Sequence, residues 1–112
     1  MTFEDGLQAL AQRYLVQALR LTQASGDATL GAHVLAGLSD QARMLGHPRE
    51  ALQLATAGRH GLTRAYSPAC AADLWALAAR AHASLGEFRE AAHAIAQSEA
   101  AFEKVHRDDE PE

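Results

Sequence analysis

Apolar positions recur at intervals of three and four residues along most of the chain, which is the spacing of an amphipathic helix. The first such run covers residues 7–21 and stops at Gly26 and Asp27, where glycine can end one helix and aspartate can cap the next. A second run follows over residues 28–45. No segment alternates apolar and polar residues as a half-buried strand does. The pattern therefore predicts an all-α chain.

Proline and glycine divide the rest of the chain into three further helices. Pro48 and Pro68 suit first helical positions, because the N–H that proline lacks would be unpaired there anyway, and Ser67 can cap the helix that follows it. These predicted helices span about 48–65, 69–85 and 87–105. The connections are short, so neighbouring helices should be antiparallel. We expect one domain of about five helices over residues 1–106 and a disordered acidic tail over residues 107–112.

A repeat with a period of 40 residues runs through these helices. Residues 45–51 read LGHPREA and residues 85–91 read LGEFREA, so five of the seven positions are identical. Three columns keep the same offset: Gly6, Gly46 and Gly86; Ala11, Ala51 and Ala91; and the small residues Ala18, Gly58 and Ser98. Repeats of this length are typical of stacked units that bury their faces on one another. The period favours a stack of helical hairpins over the alternative, a compact helical bundle.

The repeat resembles the tetratricopeptide family, whose unit pairs an A helix with an antiparallel B helix. The matching positions are Leu35, Gly46, Ala51 and Gly58 in one unit and Trp75, Gly86, Ala91 and Ser98 in the next. The likeness is incomplete, because the family's period is about 34 residues and its closing proline is missing here. The resemblance implies a right-handed superhelix in which the A helices line a concave groove for a protein or peptide.

A narrower likeness covers residues 13–27, 34–52, 81–105 and 108–112. These segments resemble the C-terminal, sensor-like region of actinobacterial helix-turn-helix transcriptional regulators. The resemblance implies a regulatory interaction domain without direct nucleic-acid contact, because the DNA-binding part of such a regulator would lie outside these residues.

Composition and charge narrow the possible functions. The 112 residues, 48% of them hydrophobic, allow one modest core, and the net charge of −4 leaves no basic stripe of the kind that binds nucleic acid. The single cysteine, Cys70, excludes an internal disulfide and is expected to be buried and unreactive. No apolar run reaches the roughly 18 residues of a membrane span, and the N-terminus is acidic where a signal peptide is basic. The cytoplasm is the expected location.

Catalytic and metal sites are not indicated. None of the six histidines has a second histidine four residues away, the spacing of a helical zinc pair. The glycines are single, so no phosphate-binding loop is formed, and no serine has a glycine-rich elbow around it. We therefore expect no enzyme activity, no metal and no cofactor. The alternative, a helical enzyme fragment, would need a deep polar pocket with convergent histidines and acids.

The predicted binding site is the groove of the A helices. On the tetratricopeptide frame it is lined by His33, Asp40, Arg43, Asp73 and Arg80. Arg43 and Arg80 can each bind a carboxylate through two hydrogen bonds. The alternative interpretation is that Asp40 and Arg43 pair with each other at i,i+3 on a solvated face.

The first predicted helix carries a second candidate surface. Gly6 aligns with the hairpin bends, so this helix would be a B helix without an A partner. Its apolar face consists of Leu7, Leu10, Tyr14, Val16 and Leu21. Such a face needs a cover, either a second copy of the chain or an upstream segment, and we expect a homodimer. A purely structural homo-oligomerisation domain with no groove ligand is the alternative to a protein- or peptide-binding regulatory module.

Overall fold

The computed structural model describes residues 26–62 and 67–109, with side chains to residue 106, and eight single residues nearer the N-terminus. These eight, all helical, are Gly6, Ala9, Leu10, Arg13, Val16, Gln17, Arg20 and Ala24. The rest of the first predicted helix lies outside the described residues. Four helices follow: α1 (Ala28–Met44), α2 (Pro48–Gly61), α3 (Pro68–Ser84) and α4 (Phe88–Asp109). The described residues form helices and turns without a strand, which confirms the all-α prediction.

The helices begin where the sequence places their capping residues. Asp27 Oδ1 accepts a hydrogen bond of 2.9 Å from the N–H of Leu30, and Ser67 Oγ accepts one of 3.4 Å from the third residue of α3. Pro48 and Pro68 occupy the first positions of α2 and α3. Each side-chain cap satisfies one of the N–H groups that the first helical turn leaves without a partner.

The bends of the hairpins α1–α2 and α3–α4 have the same backbone conformation. Gly46 has a φ of +85° and Gly86 a φ of +75°, in the left-handed region where a side chain is strained. The residue after each glycine donates its N–H to a carbonyl in the last turn of the preceding helix, Ala42 at 2.8 Å and His82 at 2.9 Å. At each bend this bond gives a partner to a carbonyl that the end of the helix would otherwise leave unpaired. The backbone conformation of the bend therefore repeats after 40 residues, as the sequence does.

Two helix ends differ from the predicted ones. α2 ends at Gly61 rather than near Ala65, and the N–H of Leu62 bonds back to the carbonyl of Arg59 at 3.1 Å, as in the tightened last turn of a helix. α4 continues to Asp109 instead of ending near Val105, so it includes the first three residues of the expected tail. No glycine or proline lies between residues 105 and 109 to stop it.

The helices pack as an open series. Each of the four contacts the next along the chain, and α1 also contacts α3, whereas α1 and α4 do not touch each other. The core between them consists mainly of alanine side chains, including Ala32, Ala55, Ala72, Ala78, Ala81 and Ala94. Small side chains permit short distances between helix axes. The two hairpins therefore join through α3, which packs on both α1 and α2.

Gly58, on α2, lies close to a leucine on each of the two neighbouring helices, α1 and α3. A Cβ atom at this position would lie 2.9 Å from Cδ2 of Leu74 on α3 and 3.5 Å from Cβ of Leu35 on α1. Leu74 is only 1% exposed. The small residue that the repeat requires here therefore makes room for the leucine that joins the two hairpins.

Ser39 links the helices of the first hairpin. It is 1% exposed, and its Oγ donates a hydrogen bond of 2.7 Å to the carbonyl of Ala51. The residue 40 positions later is Ala79, also buried, so Ser39→Ala recreates the arrangement of the second hairpin. We expect this variant to lower the free energy of unfolding by about 1 kcal/mol in urea titration, because one buried hydrogen bond is lost. Exposed Ser84→Ala is the control, and equal losses would contradict the role of Ser39.

Candidate functional site

The five predicted groove residues lie on α1 and α3, the two helices that contact each other across the hairpins. Three of them are exposed: His33, Asp73 and Arg80. The other two, Asp40 and Arg43, are half-buried. We call the line along which these two helices meet the α1–α3 seam. The predicted site would lie along this seam.

His33 contacts Cys70 across the α1–α3 seam. The Nε2 atom of His33 lies 3.3 Å from Sγ of Cys70 and its Nδ1 atom lies 3.8 Å away. Asp73 follows Cys70 by one helical turn. The structure thus brings two of the five predicted residues, His33 and Asp73, to the same short stretch of the seam.

The thiol of Cys70 is not activated by this contact. Burial raises the pKa of the Cys70 thiol, and the charge of Asp73 adds to the rise, while the hydrogen bond with Ser67 opposes both. The thiol therefore stays protonated at neutral pH, unlike the thiolate of a nucleophilic cysteine. The burial predicted for Cys70 is confirmed. The contact with His33 was not foreseen, although the 40-residue offset between His33 and Asp73 already placed them at equivalent positions on the A helices.

Asp40 and Arg43 form an ion pair with each other. The Nη2 atom of Arg43 lies 2.9 Å from Oδ1 of Asp40, at the i,i+3 spacing of the alternative interpretation. The Nε atom of Arg43 is buried and has no hydrogen-bond partner. A ligand carboxylate that accepted two hydrogen bonds from this guanidinium would have to compete with Asp40. Arg43 is therefore less available to a ligand than the groove prediction requires, and the pair has the spacing of the alternative interpretation.

Arg80 lies beside α4 rather than at the contact between His33 and Cys70. It lines an open cleft of 370 Å³ between α3 and α4, and this α3–α4 cleft is otherwise mainly apolar. The other side chains around it are those of Ala76, Ala79, Ala83, Ala91, Ile95, Ser98 and Glu99. A ligand bound near His33 would therefore reach Arg80 only if it extended along α3.

Trp75 is part of a cluster that joins three helices. The guanidinium carbon of Arg59, on α2, lies 3.6 Å from the centre of the Trp75 ring. The ring of His93, on α4, meets the Trp75 ring edge to face at 5.9 Å between centroids. Burial lowers the pKa of Arg59. The sequence matched Trp75 to a repeat position but gave no indication of Arg59 and His93, since both partners lie on other helices.

Of the predicted homodimer surface, two residues can be placed. Leu10 and Val16 are 46% and 47% exposed. Leu7, Tyr14 and Leu21 lie outside the described residues. The surface on the first helix therefore stays a prediction.

Two other kinds of feature, a metal site and a membrane span, are absent from the described part of the chain. No three histidine, cysteine, aspartate or glutamate side chains there could hold a metal ion together. No helix there has the length and apolar character needed to cross a membrane. Comparison of the chain with protein-family models, curated proteins and solved structures finds no match. The exposed surfaces of the described residues are therefore the candidates for function.

Proposed function

We propose that the chain is a regulatory module that binds a protein or peptide, built from tetratricopeptide-like hairpins. The main support is that two hairpins with the same bend, 40 residues apart, contact each other through α3, which packs on the B helix α2 and on the A helix α1. Contacts of this kind, without contact between α1 and α4, are what a stack of hairpins requires. The right-handed superhelix and its concave groove belong to this proposal.

The outer face of α1 supplies most of the proposed binding surface. Its exposed residues are spaced by three and four, and they are Leu30, His33, Gly37, Gln41 and Met44. Leu30 is 47% exposed and Met44 is 71% exposed, so each end of this face carries an apolar side chain. A Cβ atom at Gly37 would meet no atom within 4 Å, which leaves open space at the centre. This surface suits a peptide with apolar side chains at its ends and a cation directed at Asp73.

A linear peptide library displayed on phage provides the test. We expect selected peptides to bind His33→Ala/Asp73→Ala about tenfold or more weakly in fluorescence anisotropy, because at least one hydrogen bond to a charged group is lost. Arg49→Ala, a change of an exposed arginine on α2, is the control and should bind as the original chain does. Selection of no peptide, or unchanged binding to the double variant, would contradict the groove.

The module's cellular role is proposed from the resemblance to helix-turn-helix regulators. In that role the chain would be the sensor or dimerisation part of a transcriptional regulator, and DNA would be bound by another segment. The net charge of −4 supports the absence of direct nucleic-acid contact by these residues. The gene sequence upstream of Met1 tests this assignment, which predicts a helix-turn-helix segment there.

A second candidate function, homo-oligomerisation, is favoured by a separate observation on α4. Phe88, Ile95 and Phe102 are 72%, 49% and 54% exposed. Large apolar side chains that share one helix and remain exposed are a feature of association surfaces. This surface is distinct from the one predicted on the first helix.

A further inference from the structure

Exposed apolar residues form one line along α4. Phe88, Ile95 and Phe102 are spaced by seven residues, and exposed residues between and after them complete a four-three spacing. The line, which we name the α4 strip, consists of Phe88, Ala92, Ile95, Glu99, Phe102 and His106. Its spacing is that of the a and d positions of a heptad, the positions through which two helices pack side by side.

The α4 strip borders the α3–α4 cleft at the end of the helix series. In the repeat, Ile95 and Ser98 of the cleft correspond to Ala55 and Gly58 on α2. Ala55 is fully buried, and Gly58 receives Leu74 of the next A helix. The equivalent surface of the first hairpin is thus covered by a helix. The α3–α4 cleft is therefore shaped to receive a further helix.

Arg89 and Glu103 share the same flanking position of the four-three pattern and carry opposite charges, one near each end of the α4 strip. Arg89 lies next to Phe88 at the start of α4, and Arg80 lines the adjoining cleft. Glu103 lies next to Phe102 near the other end, and both Glu103 and Arg89 are exposed. An identical helix laid antiparallel would bring Arg89 beside Glu103 of the second copy, and Glu103 beside Arg89 of the second copy. These two flanking charges are therefore complementary to those of a second copy.

We propose that two copies of this chain pair antiparallel through the α4 strip, with each α4 lying over the α3–α4 cleft of the other copy. Arg89 of one protomer faces Glu103 of the partner subunit, and small Ala92 receives Phe102 of the partner subunit. The strip is about 27 Å long. Because a two-fold symmetric pairing uses the same surface on both copies, no surface is left for a third copy and the assembly is a dimer. This inference rests on the second candidate function, homo-oligomerisation, and does not depend on peptide binding.

The mass of the full chain in solution tests the pairing. Light scattering after size exclusion, repeated over a wide concentration range, should give the mass of a dimer. We expect Ile95→Glu/Phe102→Glu to weaken dimerisation about a hundredfold or more, because charged groups replace two of the three large apolar side chains of the strip. Both positions are about half exposed in the single chain, so its helical circular dichroism should be unchanged.

Two controls separate this surface from the others. Leu10→Glu, on the predicted surface of the first helix, and Met44→Glu, on the proposed peptide-binding face, should both remain dimers. If Leu10→Glu alone gave monomers, the first helix would be the interface and the α4 strip would be ruled out. Peptide binding is measured separately on Ile95→Glu/Phe102→Glu and should persist. Conversely, His33→Ala/Asp73→Ala should lose peptide binding and remain a dimer. The two proposals can therefore fail independently.

A charge exchange tests the antiparallel direction. Arg89→Glu and Glu103→Arg should each weaken dimerisation, because each places like charges opposite each other. The double variant Arg89→Glu/Glu103→Arg should recover most of the lost affinity. A wild-type monomer at every concentration, a dimer that survives Ile95→Glu/Phe102→Glu, or a double variant as weak as the singles would overturn the proposal.

Discussion

Replacing Leu74 by alanine should lower the free energy of unfolding by about 3 kcal/mol, within the usual range for a buried leucine. Leu74 is 1% exposed and packs against the bare backbone of Gly58 at the junction of the two hairpins. Because the position opposite is a glycine, no long side chain stands there to move into the cavity. Urea titration followed by circular dichroism measures the loss, and the transition midpoint should fall without a change of slope.

Leu30→Ala is the matched control for this variant. Leu30 lies on α1 and is 47% exposed, so its truncation should cost well under 1 kcal/mol. A cost for Leu74→Ala no greater than that of Leu30→Ala would show that the two hairpins do not depend on this leucine. The packing described here at the junction would then be wrong.

The second large effect is expected from Gly58→Leu. Even the first side-chain atom would lie 2.9 Å from Leu74 Cδ2, so Leu74 has to move and the rest of the new leucine has to find room beside it. Overpacking of this kind costs about 1–3 kcal/mol, and the better helix propensity of leucine returns up to about 1 kcal/mol of it. We expect a net loss of about 2 kcal/mol in the same urea titration.

The same substitution at Gly37 separates packing from propensity. Gly37 is also inside a helix, but nothing lies within 4 Å of its missing Cβ atom, so Gly37→Leu should be neutral or stabilising by up to about 1 kcal/mol. Gly58→Leu combined with Leu74→Ala should be less damaging than the sum of the two single changes, because the cavity admits the new side chain. Additive losses would indicate that the two positions do not share one space.

Features that depend on a few consecutive residues could be predicted from the sequence. Asp27, Ser67 and the first-position prolines mark helix starts, and the glycines at 46 and 86 mark the bends. Each of these residue types fixes the backbone of its own segment, so the local sequence is enough to predict where a helix begins or a bend lies. The predicted end of α2 near Ala65 was wrong because no capping residue marks the true end: Leu62 closes the helix in an ordinary right-handed conformation.

Contacts between helices could be predicted only where the repeat supplied them. The offset of 40 residues indicated that Gly58 must be small, and the packing against Leu74 gives the reason. It did not predict that His33 meets Cys70 or that Arg59 lies over Trp75, because these pairs depend on how neighbouring helices rotate. The same limit affected Arg80, whose place beside the α3–α4 cleft is set by the rotation of α3.

The shared geometry of the two bends makes the segment between them a transferable building block. Gly46 and Gly86 hold the chain in nearly the same left-handed conformation, so residues 47–86 begin and end on matching backbone directions. A duplicate inserted after Gly86 would start from a bend already suited to it, and the copy of Gly86 at its end would lead into α4. The protein could thus be lengthened in whole forty-residue units without the design of a new turn.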